Sequence, residues 1–563
     1  MHMDTAQAWL NFPALDRGLR RELLKCSPAE LEDRFAQHLV FGTGGLRGVL
    51  GAGTNRMNVY TVTRATRGLA AYLQDSGVPN SCAIGYDSRK MSREFANLVA
   101  ALLAEAGLKV HLYKKLVPTP MLSFAVRHLH CGAGIMITAS HNPARFNGYK
   151  VYGPDGGQIT LEAANAIEAR IDLEEMLIEG FPSFAEHLAA GRICHVKDET
   201  IEAYYRSVLA LRVAHSTQSG IRVAYSPLNG AGNLPVREIL RRMGNVQVFV
   251  VKRQEMPNGK FPSCPSPNPE EPEAMKLVSK LALKKNADLC LATDPDGDRV
   301  GVGVRNGNRI ERLSGNETGI LLLEYLCREK RSTLPGGLAP VVVKTVVTTD
   351  MAEPICDQYG VDLRNVLTGF KFIGEQIGLL DDEEQKDRFL LGFEESYGYL
   401  SGTEVRDKDA VNAAMLICDM AVFYKAQGEN LLQALERLYK ECGYYLHRLL
   451  DFKFEGVAGM RQMNNVMAAF RAEGLASVGS LPVMSRLDYL QPDQANTGLP
   501  KSDMIMLSFG DKGKVVARPS GTEAKLKLYL SALSGLRAES ERRLEEMARE
   551  LRGFVEDKKS VES

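Results

Sequence analysis

One order of local patterns occurs three times along the chain. Each copy has an apolar run, a polar turn, a helical stretch, a second apolar run, and a third apolar run that leads into a polar loop. The first copy begins with CAIGYDSRK at Cys82, the second with IRVAYSPLNG at Ile221, and the third with VVVKTVVTTD at Val341. Runs rich in Val, Ile and Leu that alternate with helices are typical of strands in mixed or parallel sheets. The recurrence therefore predicts three similar α/β domains.

The pattern changes after about Leu450. The segment DFKFEGVAGMRQMNNVMAAF is followed by an apolar run, then by VVARPSGTEAKLKLYL and a charged amphipathic helix from about Ala538 to Glu556. We interpret this part as a smaller α+β domain. The predicted fold class is therefore α/β, with three similar mixed-sheet α/β domains around a central cleft and a smaller C-terminal α+β domain. The predicted domains are residues 1–205, 206–325, 326–445 and 446–563.

A proline-rich segment, PNGKFPSCPSPNPEEPE, lies inside the second copy. Each proline fixes φ and removes a backbone donor, so this segment must be extended or turned. It could be a domain linker. Because it falls between two predicted strands of one copy, we favour a long loop within that domain.

Composition excludes several classes of protein. The chain has 69 basic and 69 acidic residues, so it lacks the positive field on which binding to nucleic acid or to an anionic membrane depends. It has no run of about 18 apolar residues, and its start has no uninterrupted apolar stretch of the kind found in signal peptides. The ten cysteines are scattered without a C-x-x-C pair, which favours reduced thiols in a cytoplasmic protein.

The loop after the second copy, TDPDGDR, places Asp294, Asp296 and Asp298 at alternate positions after an apolar run. Three carboxylates at close quarters repel one another, so their convergence would call for a divalent cation. Oxygen ligands favour Mg²⁺ or Mn²⁺ over zinc. The alternative is a solvated acidic turn.

The loop after the first copy, ITASHNPARFNGYK, contains Ser140 at a predicted strand end. A serine on a tight turn can be held exposed as a nucleophile, with His141 as proton acceptor and Lys150 as positive charge. Taken alone, a Ser-His pair in a turn is more often capping chemistry. The equivalent position of the acidic loop in the second copy supports the catalytic interpretation.

Two further loops carry polar side chains. GFEESYGY offers Glu394 and Ser396 as acceptors for sugar hydroxyls, and Lys408 follows as a candidate general base. RPSGTEAK places Arg518 and two hydroxyl residues around a glycine, which suits a phosphate dianion. The alternatives are a glycine-rich turn with solvated charges and a plain type II turn.

Five motifs occur in one order, and together they resemble the α-D-phosphohexomutase family. They are FGTGGLRG from Phe41, TASHNP, DPDGDR, FEESYGY and RPSGTE. The resemblance covers nearly the whole chain, from about Phe41 to Tyr529, and is closest to the phosphoglucomutase branch of that family. It implies four domains around one cleft. The first would carry the phosphoserine, and the others would bind the metal, the sugar and the substrate phosphate in that order.

The resemblance also implies a role for each motif residue. Ser140 would carry the transferable phosphoryl group, and one Mg²⁺ per chain would lie between it and the three aspartates. Lys408 would be the general base. The residues around the phosphoserine would be His141, Lys150, Arg47 and Arg299. Those that bind the sugar and its non-reacting phosphate would be Glu394, Ser396, Arg518, Ser520, Gly521 and Thr522.

The activity implied by the resemblance is the reversible conversion of α-D-glucose 1-phosphate to glucose 6-phosphate through glucose 1,6-bisphosphate. Its partners would be small sugar phosphates, with no nucleic acid or membrane, and the protein would be a monomer or weak homodimer. The EESY form of the sugar loop resembles glucose-directed members. However, FGTGGLRG followed by GAGTNRMN also resembles phosphopentomutases and glucose-1,6-bisphosphate synthases, and a phosphomannomutase is a further alternative. Ser396 favours a hexose.

Two other classes stay open. An apolar strand followed by D-x-D-G also resembles aspartyl-phosphate enzymes, in which Asp294 would be the nucleophile and Asp296 the acid/base. A sugar-phosphate sensor that kept the cleft but lost turnover is the non-enzymatic alternative.

Overall fold

The computed structural model describes residues 2–42, 44–171, 176–213, 220–330, 337–454, 456–472, 475–491, 497–519 and 525–559. Four main sheets follow one another along the chain, and we call the part of the chain around each sheet the first, second, third or fourth unit. The strands of the first unit are β1 Gly45–Val49, β2 Ser81–Tyr86, β3 Lys109–Leu112, β4 Ala133–Ile137, β5 Phe146–Tyr152 and β6 Ile193–His195. Those of the second are β7 Ile221–Ser226, β8 Val246–Val250, β9 Leu289–Thr293, β10 Val300–Asn306 and β11 Arg309–Leu313. Those of the third are β12 Val341–Thr345, β13 Asp362–Val366, β14 Phe389–Glu394 and β15 Gly398–Leu400.

The fourth unit has a five-stranded sheet and a two-stranded ribbon. The sheet contains β16 Leu446–Lys453, β19 Ser485–Asp488, β20 Ile505–Ser508, β21 Gly513–Pro519 and β22 Lys525–Ala532, and the ribbon is β17 Ser477–Val478 with β18 Leu481–Pro482. The sheet order is β16-β22-β21-β20-β19 and every pair is antiparallel. Helix α18 (Gly456–Ala472) contacts helix α19 (Arg537–Lys559), and α19 also contacts β16 and β22.

Helices lie between the strands. They are α1 His2–Asn11, α2 Arg17–Leu23, α3 Pro28–Phe35, α4 Val59–Asp75, α5 Ser92–Glu105, α6 Thr119–His128, α7 Leu161–Glu168, α8 Phe184–Ala189, α9 Asp198–Ala210, α10 Asn233–Met243, α11 Lys252–Glu255, α12 Pro272–Lys284, α13 Gly315–Lys330, α14 Ala352–Tyr359, α15 Phe370–Asp382, α16 Ala410–Ala426, α17 Leu431–Cys442, α18 Gly456–Ala472 and α19 Arg537–Lys559. None of the helices in the part of the chain that the structure describes has both the length and the apolar character needed to cross a membrane.

The first three sheets share one arrangement. In each, the first strand of the repeat lies between the second and third strands and is parallel to both, and the third strand then pairs with an antiparallel strand. The central strands β4, β9 and β12 are buried along their whole length, as expected for strands that are covered on both faces. The predicted fold class, three similar mixed-sheet α/β units plus a C-terminal α+β unit, is confirmed.

The predicted domain boundaries stay predictions. All strands of each main sheet fall inside the corresponding predicted domain, whereas helices α9 and α13 cross the first and second boundaries. The proline-rich segment from Pro257 to Glu273 lies between β8 and β9 of one sheet, so it is a loop within the second unit.

Helices α1 to α3 form a small apolar cluster against the first unit. Trp9 is 2% exposed, and its ring lies 5.5 Å from the ring of Phe35 and 5.5 Å from that of Tyr60, both in edge-to-face geometry. Beyond this cluster, the Arg34 guanidinium donates to the Ala52 carbonyl oxygen at 2.9 Å. The N-terminal helices therefore support the loop that follows β1.

We expect Phe35→Ala to destabilise this cluster by about 3 to 5 kcal/mol, because it removes a buried aromatic ring and leaves a cavity. Trp9 is the only tryptophan in the sequence, so its fluorescence during urea unfolding measures this region directly. Leu24→Ala is the control, since Leu24 is 70% exposed and its removal should change the midpoint little. Equal midpoints for wild type and Phe35→Ala would contradict the expectation.

Candidate active site

Three polar loops leave equivalent strands. The loop with Ser140 follows β4, the loop with Asp294 follows β9, and Glu394 is the last residue of β14. In each unit the loop joins the third strand of the repeat to its antiparallel neighbour, so all three loops leave the carboxyl ends of equivalent strands. Ligands of open α/β sheets bind at such ends.

Ser140 is buried, with 3% exposure, and has a positive φ of 51°. Its amide donates to Thr138 Oγ1 at 2.9 Å. Its hydroxyl Oγ donates to Asp294 Oδ2 at 2.9 Å and lies 3.2 Å from His141 Nδ1. The serine loop of the first unit therefore meets the acidic loop of the second unit at the serine oxygen.

Arg89 binds the backbone of the serine loop. Its guanidinium donates to the carbonyl oxygens of Ser140 and Asn142, and also to those of Pro143 at 3.0 Å and Phe146 at 3.1 Å. The carboxylate of Asp87 lies 3.2 Å from Arg89 Nε. Because four carbonyls of one loop converge on a single planar donor, Arg89 fixes the backbone around the serine.

We expect Arg89→Lys to lower kcat about 10- to 100-fold, since a lysine ammonium cannot reach all four carbonyls and a shift near 1 Å at a reacting group costs about 100-fold. Steady-state turnover of glucose 1-phosphate, the substrate that the resemblance implies, is the measurement, with circular dichroism to verify folding. The matched control is Arg93→Lys, because Arg93 is exposed on the following helix. A kcat within twofold of wild type would show that the loop keeps its conformation without the arginine.

The carboxylates of Asp294, Asp296 and Asp298 lie within 4.8 Å of one another, and each residue is at most 2% exposed. Asp294 Oδ1 accepts from the amides of Asp298 and Arg299, both at 3.1 Å. Burial raises the pKa of Asp294 well above its ordinary value, and the charges of the other two carboxylates raise it further.

Two carboxylate oxygens of this cluster have no hydrogen-bond donor among the described residues. Asp296 Oδ1 and Asp298 Oδ1 are buried and accept no hydrogen bond from the described residues. A buried carboxylate oxygen without a donor is costly, and a cation would satisfy it. The all-oxygen donor set suits a hard divalent cation such as Mg²⁺. The residues therefore fit the predicted metal site.

Lysines surround the acidic cluster. Lys150 Nζ donates to Asp296 Oδ2 at 2.8 Å, and Lys408 Nζ lies 3.2 Å from Asp298 Oδ2 and 2.9 Å from Asp407 Oδ1. Burial alone would lower the pKa of Lys408, but Asp298 and Asp407 raise it far above its ordinary value. Lys408 is therefore an ammonium in this arrangement.

The histidine beside the serine is neutral. Burial lowers the pKa of His141 well below its ordinary value, and the positive charges of Arg299 and Arg47 lower it further. Arg299 Nη1 pairs with Glu270 Oε1 at 2.5 Å, and its Nε lies 3.8 Å from Asp298 Oδ1. Arg47 is exposed on β1, opposite Gly148 of β5.

The sugar loop borders the same region. Glu394 is 4% exposed, and its Oε1 accepts from the Gly369 amide at 3.0 Å. Burial raises the pKa of Glu394, although Lys408 and Arg299 act in the opposite direction. Ser396 lines a cleft of about 280 Å³, together with Lys527 and other residues of the third and fourth units.

Arg518 lies on β21 directly opposite Lys527 of β22. Two opposed cations on neighbouring strands repel each other, which makes the surface beside Arg518 and Lys527 a favourable place for an anion. Ser520, Gly521 and Thr522, predicted to bind the phosphate with Arg518, lie outside the described residues.

Hydrogen bonds and ion pairs join most of the predicted residues into one site. The connected residues are Ser140, His141, Lys150, Asp294, Asp296, Asp298, Arg299 and Lys408. Glu394 lies near enough for its charge to act on Lys408 and Arg299. Within the described part of the chain no hydrogen bond or ion pair joins Ser396 or Arg518 to this cluster, whereas the charge of Arg47 acts on His141.

Sequence reasoning missed several residues of the site. Thr119 donates to Asp296 Oδ2 at 3.1 Å, and Asp407 Oδ2 accepts from the Tyr152 hydroxyl at 2.9 Å. For Arg89 a signal was present, because YDSRK follows the first strand of the first copy just as ASHNP follows the third. Thr119 has no comparable sequence signal, since it reaches the site from a distant segment, whereas Asp407 directly precedes the predicted Lys408.

Comparisons with known proteins identify the family of the chain. Three family profiles match in chain order: "Phosphoglucomutase/phosphomannomutase, alpha/beta/alpha domain I" at residues 38–177, domain II at 202–307 and domain III at 314–442. The chain is 37% identical over 520 residues to a phosphoglucomutase of Staphylococcus haemolyticus, an alignment that covers 89% of this chain and 91% of the relative.

Solved structures share the fold. A phosphoglucomutase/phosphomannomutase family protein from Burkholderia thailandensis has a TM-score of 0.68 and 16% identity, covering 92% of this chain and 98% of that chain. The open form of parafusin, a phosphoglucomutase from Paramecium, has a TM-score of 0.67 and 17% identity, covering 92% and 94%. The matched profiles and the identity to the staphylococcal relative confirm the resemblance that the five motifs indicated, and the chain belongs to the phosphoglucomutase/phosphomannomutase family.

Proposed function

We propose that this protein is a phosphoglucomutase that interconverts α-D-glucose 1-phosphate and glucose 6-phosphate through a phosphoserine at Ser140 and a glucose 1,6-bisphosphate intermediate. One observation carries the proposal. The Ser140 hydroxyl lies 2.9 Å from a buried aspartate, at equivalent strand ends of two repeated units. Two carboxylate oxygens of that acidic cluster accept no hydrogen bond from the described residues. The name shared by the staphylococcal relatives supports the same activity.

The surroundings of Ser140 suit a phosphoryl group. A phosphoserine carries a charge of about −1.5 to −2, which needs nearby cations in a buried place. Lys150 and Arg299 are already held at the acidic cluster, and Arg47 acts electrostatically on His141 from β1. When the phosphoryl group leaves Ser140, its oxygen must gain a proton. The neutral His141, whose Nδ1 lies 3.2 Å from Ser140 Oγ, is placed to relay that proton between its two ring nitrogens.

We propose that Asp294, Asp296 and Asp298, with Ser140 or its phosphate, hold one Mg²⁺ per chain. When bound, the cation would neutralise charge on the transferring phosphoryl group. The aspartate carboxylates supply the hard oxygen ligands, and Lys150 and Thr119 hold Asp296 in its present orientation through Oδ2.

Lys408 stays the candidate general base. A base must accept a proton from the sugar hydroxyl, but in the present arrangement Asp298 and Asp407 hold the lysine as an ammonium. We therefore propose that Lys408 loses at least one of these carboxylate contacts in the complex that reacts. Its ammonium form would donate a proton in the reverse direction.

We propose that the sugar is bound by Glu394 and Ser396 and its non-reacting phosphate by Arg518, Ser520, Gly521 and Thr522. Lys527 is an additional candidate for the phosphate, because it lies opposite Arg518 and lines the same cleft as Ser396. The bisphosphate must turn around between the two transfers, so one phosphate site and one hydroxyl-reading loop have to accept both orientations of the sugar. Domain movement of the fourth unit would permit this exchange.

We expect kcat/KM to be highest for α-glucose 1-phosphate, because Ser396 can hydrogen-bond a hexose hydroxyl. The test compares α-glucose 1-phosphate, mannose 1-phosphate and ribose 1-phosphate under identical conditions, with Mg²⁺ and a trace of the matching bisphosphate. We expect the hexose to exceed the pentose by at least about 10-fold, which corresponds to one hydrogen-bonding difference. A higher value for ribose 1-phosphate would assign the chain to pentose phosphates, and a higher value for mannose 1-phosphate would make it a phosphomannomutase.

The remaining proposals concern the oligomeric state, the partners and the location of the protein. We propose a monomer or weak homodimer that works in the cytoplasm on small sugar phosphates, without nucleic acid or membrane. None of the ten cysteines, all of which the structure describes, forms a disulfide bond, which is consistent with a reducing compartment. Light scattering after gel filtration at several concentrations tests the oligomeric state.

A further inference from the structure

A buried ionic cluster joins the third and fourth units some distance from the reacting serine. Asp350, in the loop after β12, accepts hydrogen bonds at Oδ1 from Lys344 Nζ at 2.9 Å and from Lys514 Nζ at 2.7 Å. Lys344 and Asp350 belong to the third unit, whereas Lys514 is the second residue of β21 in the fourth unit. One carboxylate oxygen therefore bridges the two units.

The cluster is partly buried. The side chain of Lys344 is 1% exposed, that of Lys514 is 13% exposed, and that of Asp350 is 25% exposed. Burial alone would raise the pKa of Asp350, but the two ammonium groups lower it strongly, so the carboxylate is ionised at neutral pH. His447 faces the same groups and is neutral, because burial lowers its pKa to about 4. The charged partners of Asp350 in this cluster are thus the two lysines.

Apolar contacts continue the same interface. Val516 of β21 packs in a cluster with Val346 and Val347 of the third unit and with Tyr529 of β22. Side chains two residues apart in a strand lie on one face. Lys514, Val516 and Arg518 therefore share the face of β21 that is turned towards the third unit.

Strand β21 links this interface to the phosphate loop. Arg518 follows Lys514 by four residues, about 13 Å along an extended strand. β21 is hydrogen-bonded on both sides, to β20 and to β22, so it moves as part of the sheet. A contact that fixes Lys514 on the third unit consequently also fixes where Arg518 points.

We propose that Asp350 is a positioning residue that, through Lys514, seats β21 on the third unit and so places Arg518 at the substrate phosphate. The inference rests on the proposed function, because it assumes that Arg518 binds the phosphate. Lys344 belongs to the anchor as well, since it holds the Asp350 carboxylate from the side of the third unit. No atom of the anchor takes part in phosphoryl transfer.

The test is steady-state kinetics of Lys514→Met, Asp350→Asn and the double variant with glucose 1-phosphate. Asp350→Asn leaves two ammonium groups without their carboxylate and could prevent folding. Lys514→Met leaves the Lys344–Asp350 pair intact, so we expect it to fold in either case. We expect KM to rise about 10-fold or more in each single variant while kcat changes less than about threefold. Because both single variants break the Lys514–Asp350 contact, we expect the double variant to have about the KM of Asp350→Asn and not the product of the two effects.

Controls separate the anchor from general loosening. Asp488→Asn removes an ion pair with Arg471, at 3.1 Å, that lies wholly within the fourth unit, and it should leave KM unchanged. Asp350→Glu keeps the charge and should restore most of the wild-type KM. An unchanged KM in Lys514→Met, or an equal rise in Asp488→Asn, would overturn the anchor.

Arg518→Ala is measured in parallel and should raise KM at least as much as Lys514→Met. If Arg518→Ala leaves KM unchanged, both the anchor and the proposed role of Arg518 are wrong. If Arg518→Ala raises KM and Lys514→Met does not, only the anchor is wrong and the proposed function stands.

Discussion

Replacing Ser140 with alanine is expected to lower kcat/KM for glucose 1-phosphate by about 10⁴-fold or more, because the variant has no oxygen to carry the phosphoryl group. The substitution removes one hydroxyl and its hydrogen bond to Asp294 Oδ2, and leaves the loop anchored by Arg89. The protein should therefore stay folded and still bind sugar phosphates. A coupled assay for glucose 6-phosphate measures the loss.

A second measurement follows the covalent intermediate. Wild-type protein incubated with glucose 1,6-bisphosphate should gain the mass of one phosphoryl group, on the peptide that contains Ser140, and Ser140→Ala should gain none. Ser76→Ala is the matched control, because its hydroxyl only caps a helix by donating to the Leu73 carbonyl oxygen. Activity of Ser140→Ala above about 1% of wild type would rule out Ser140 as the nucleophile.

The same experiment separates the rival classes. If Asp294 were the nucleophile, the protein-bound phosphate would be an alkali-labile acyl phosphate and would persist in Ser140→Ala, whereas phosphoserine survives acid. Both Asp294 oxygens are already engaged, Oδ1 with two backbone amides and Oδ2 with the Ser140 hydroxyl, which disfavours that role. A sugar-phosphate sensor would bind the bisphosphate without turnover in the wild type.

The sequence was sufficient to predict the repeated units and the loops that meet at the site. Buried strands such as β9 are continuous apolar runs, and the polar residues that end them stand out for that reason. Because the units repeat, equivalent strand ends could be matched without knowing how the units pack. Ser140 and the three aspartates follow from this local pattern.

Contacts between distant segments were not predictable in the same way. Asp350 meets Lys514 across 164 positions, and Thr119 meets Asp296 across 177. Such pairs depend on the packing of whole units, which leaves no periodic signal in one sequence. The protonation of Lys408 is a similar case, since its charge depends on Asp298 from another unit.

We expect Asp294→Asn to melt at a higher temperature than wild type when both are free of divalent metal. Three buried carboxylates repel one another, and burial raises the pKa of Asp294 far above its ordinary value, so its ionised form is strained. Asparagine keeps the shape: its oxygen can accept from the Asp298 and Arg299 amides, and its amide group can donate to Ser140 Oγ. The substitution therefore removes one negative charge, and each hydrogen bond described at Asp294 can be kept or replaced.

The order of stability should reverse when Mg²⁺ is added. A ligand that binds only the folded state stabilises it by about 2.7 kcal/mol at 100 times its Kd, which for a chain of this length should raise the Tm of the wild type by about 2 °C. Asp294→Asn lacks one anionic ligand and should gain much less at the same concentration. Its kcat should also fall at least about 100-fold, since charge on the phosphoryl group is then poorly neutralised.

Thermal melting in a chelator and then across a Mg²⁺ titration measures both effects, and it does not depend on turnover. Asp288→Asn is the control, because Asp288 precedes the same strand and pairs with Lys425 at the surface, away from the acidic cluster. That variant should keep the wild-type response to Mg²⁺ whatever its starting Tm. A lower Tm of Asp294→Asn in chelator would show that the three carboxylates do not repel one another strongly. If this variant also keeps the full Mg²⁺ response, the three aspartates do not form the metal site.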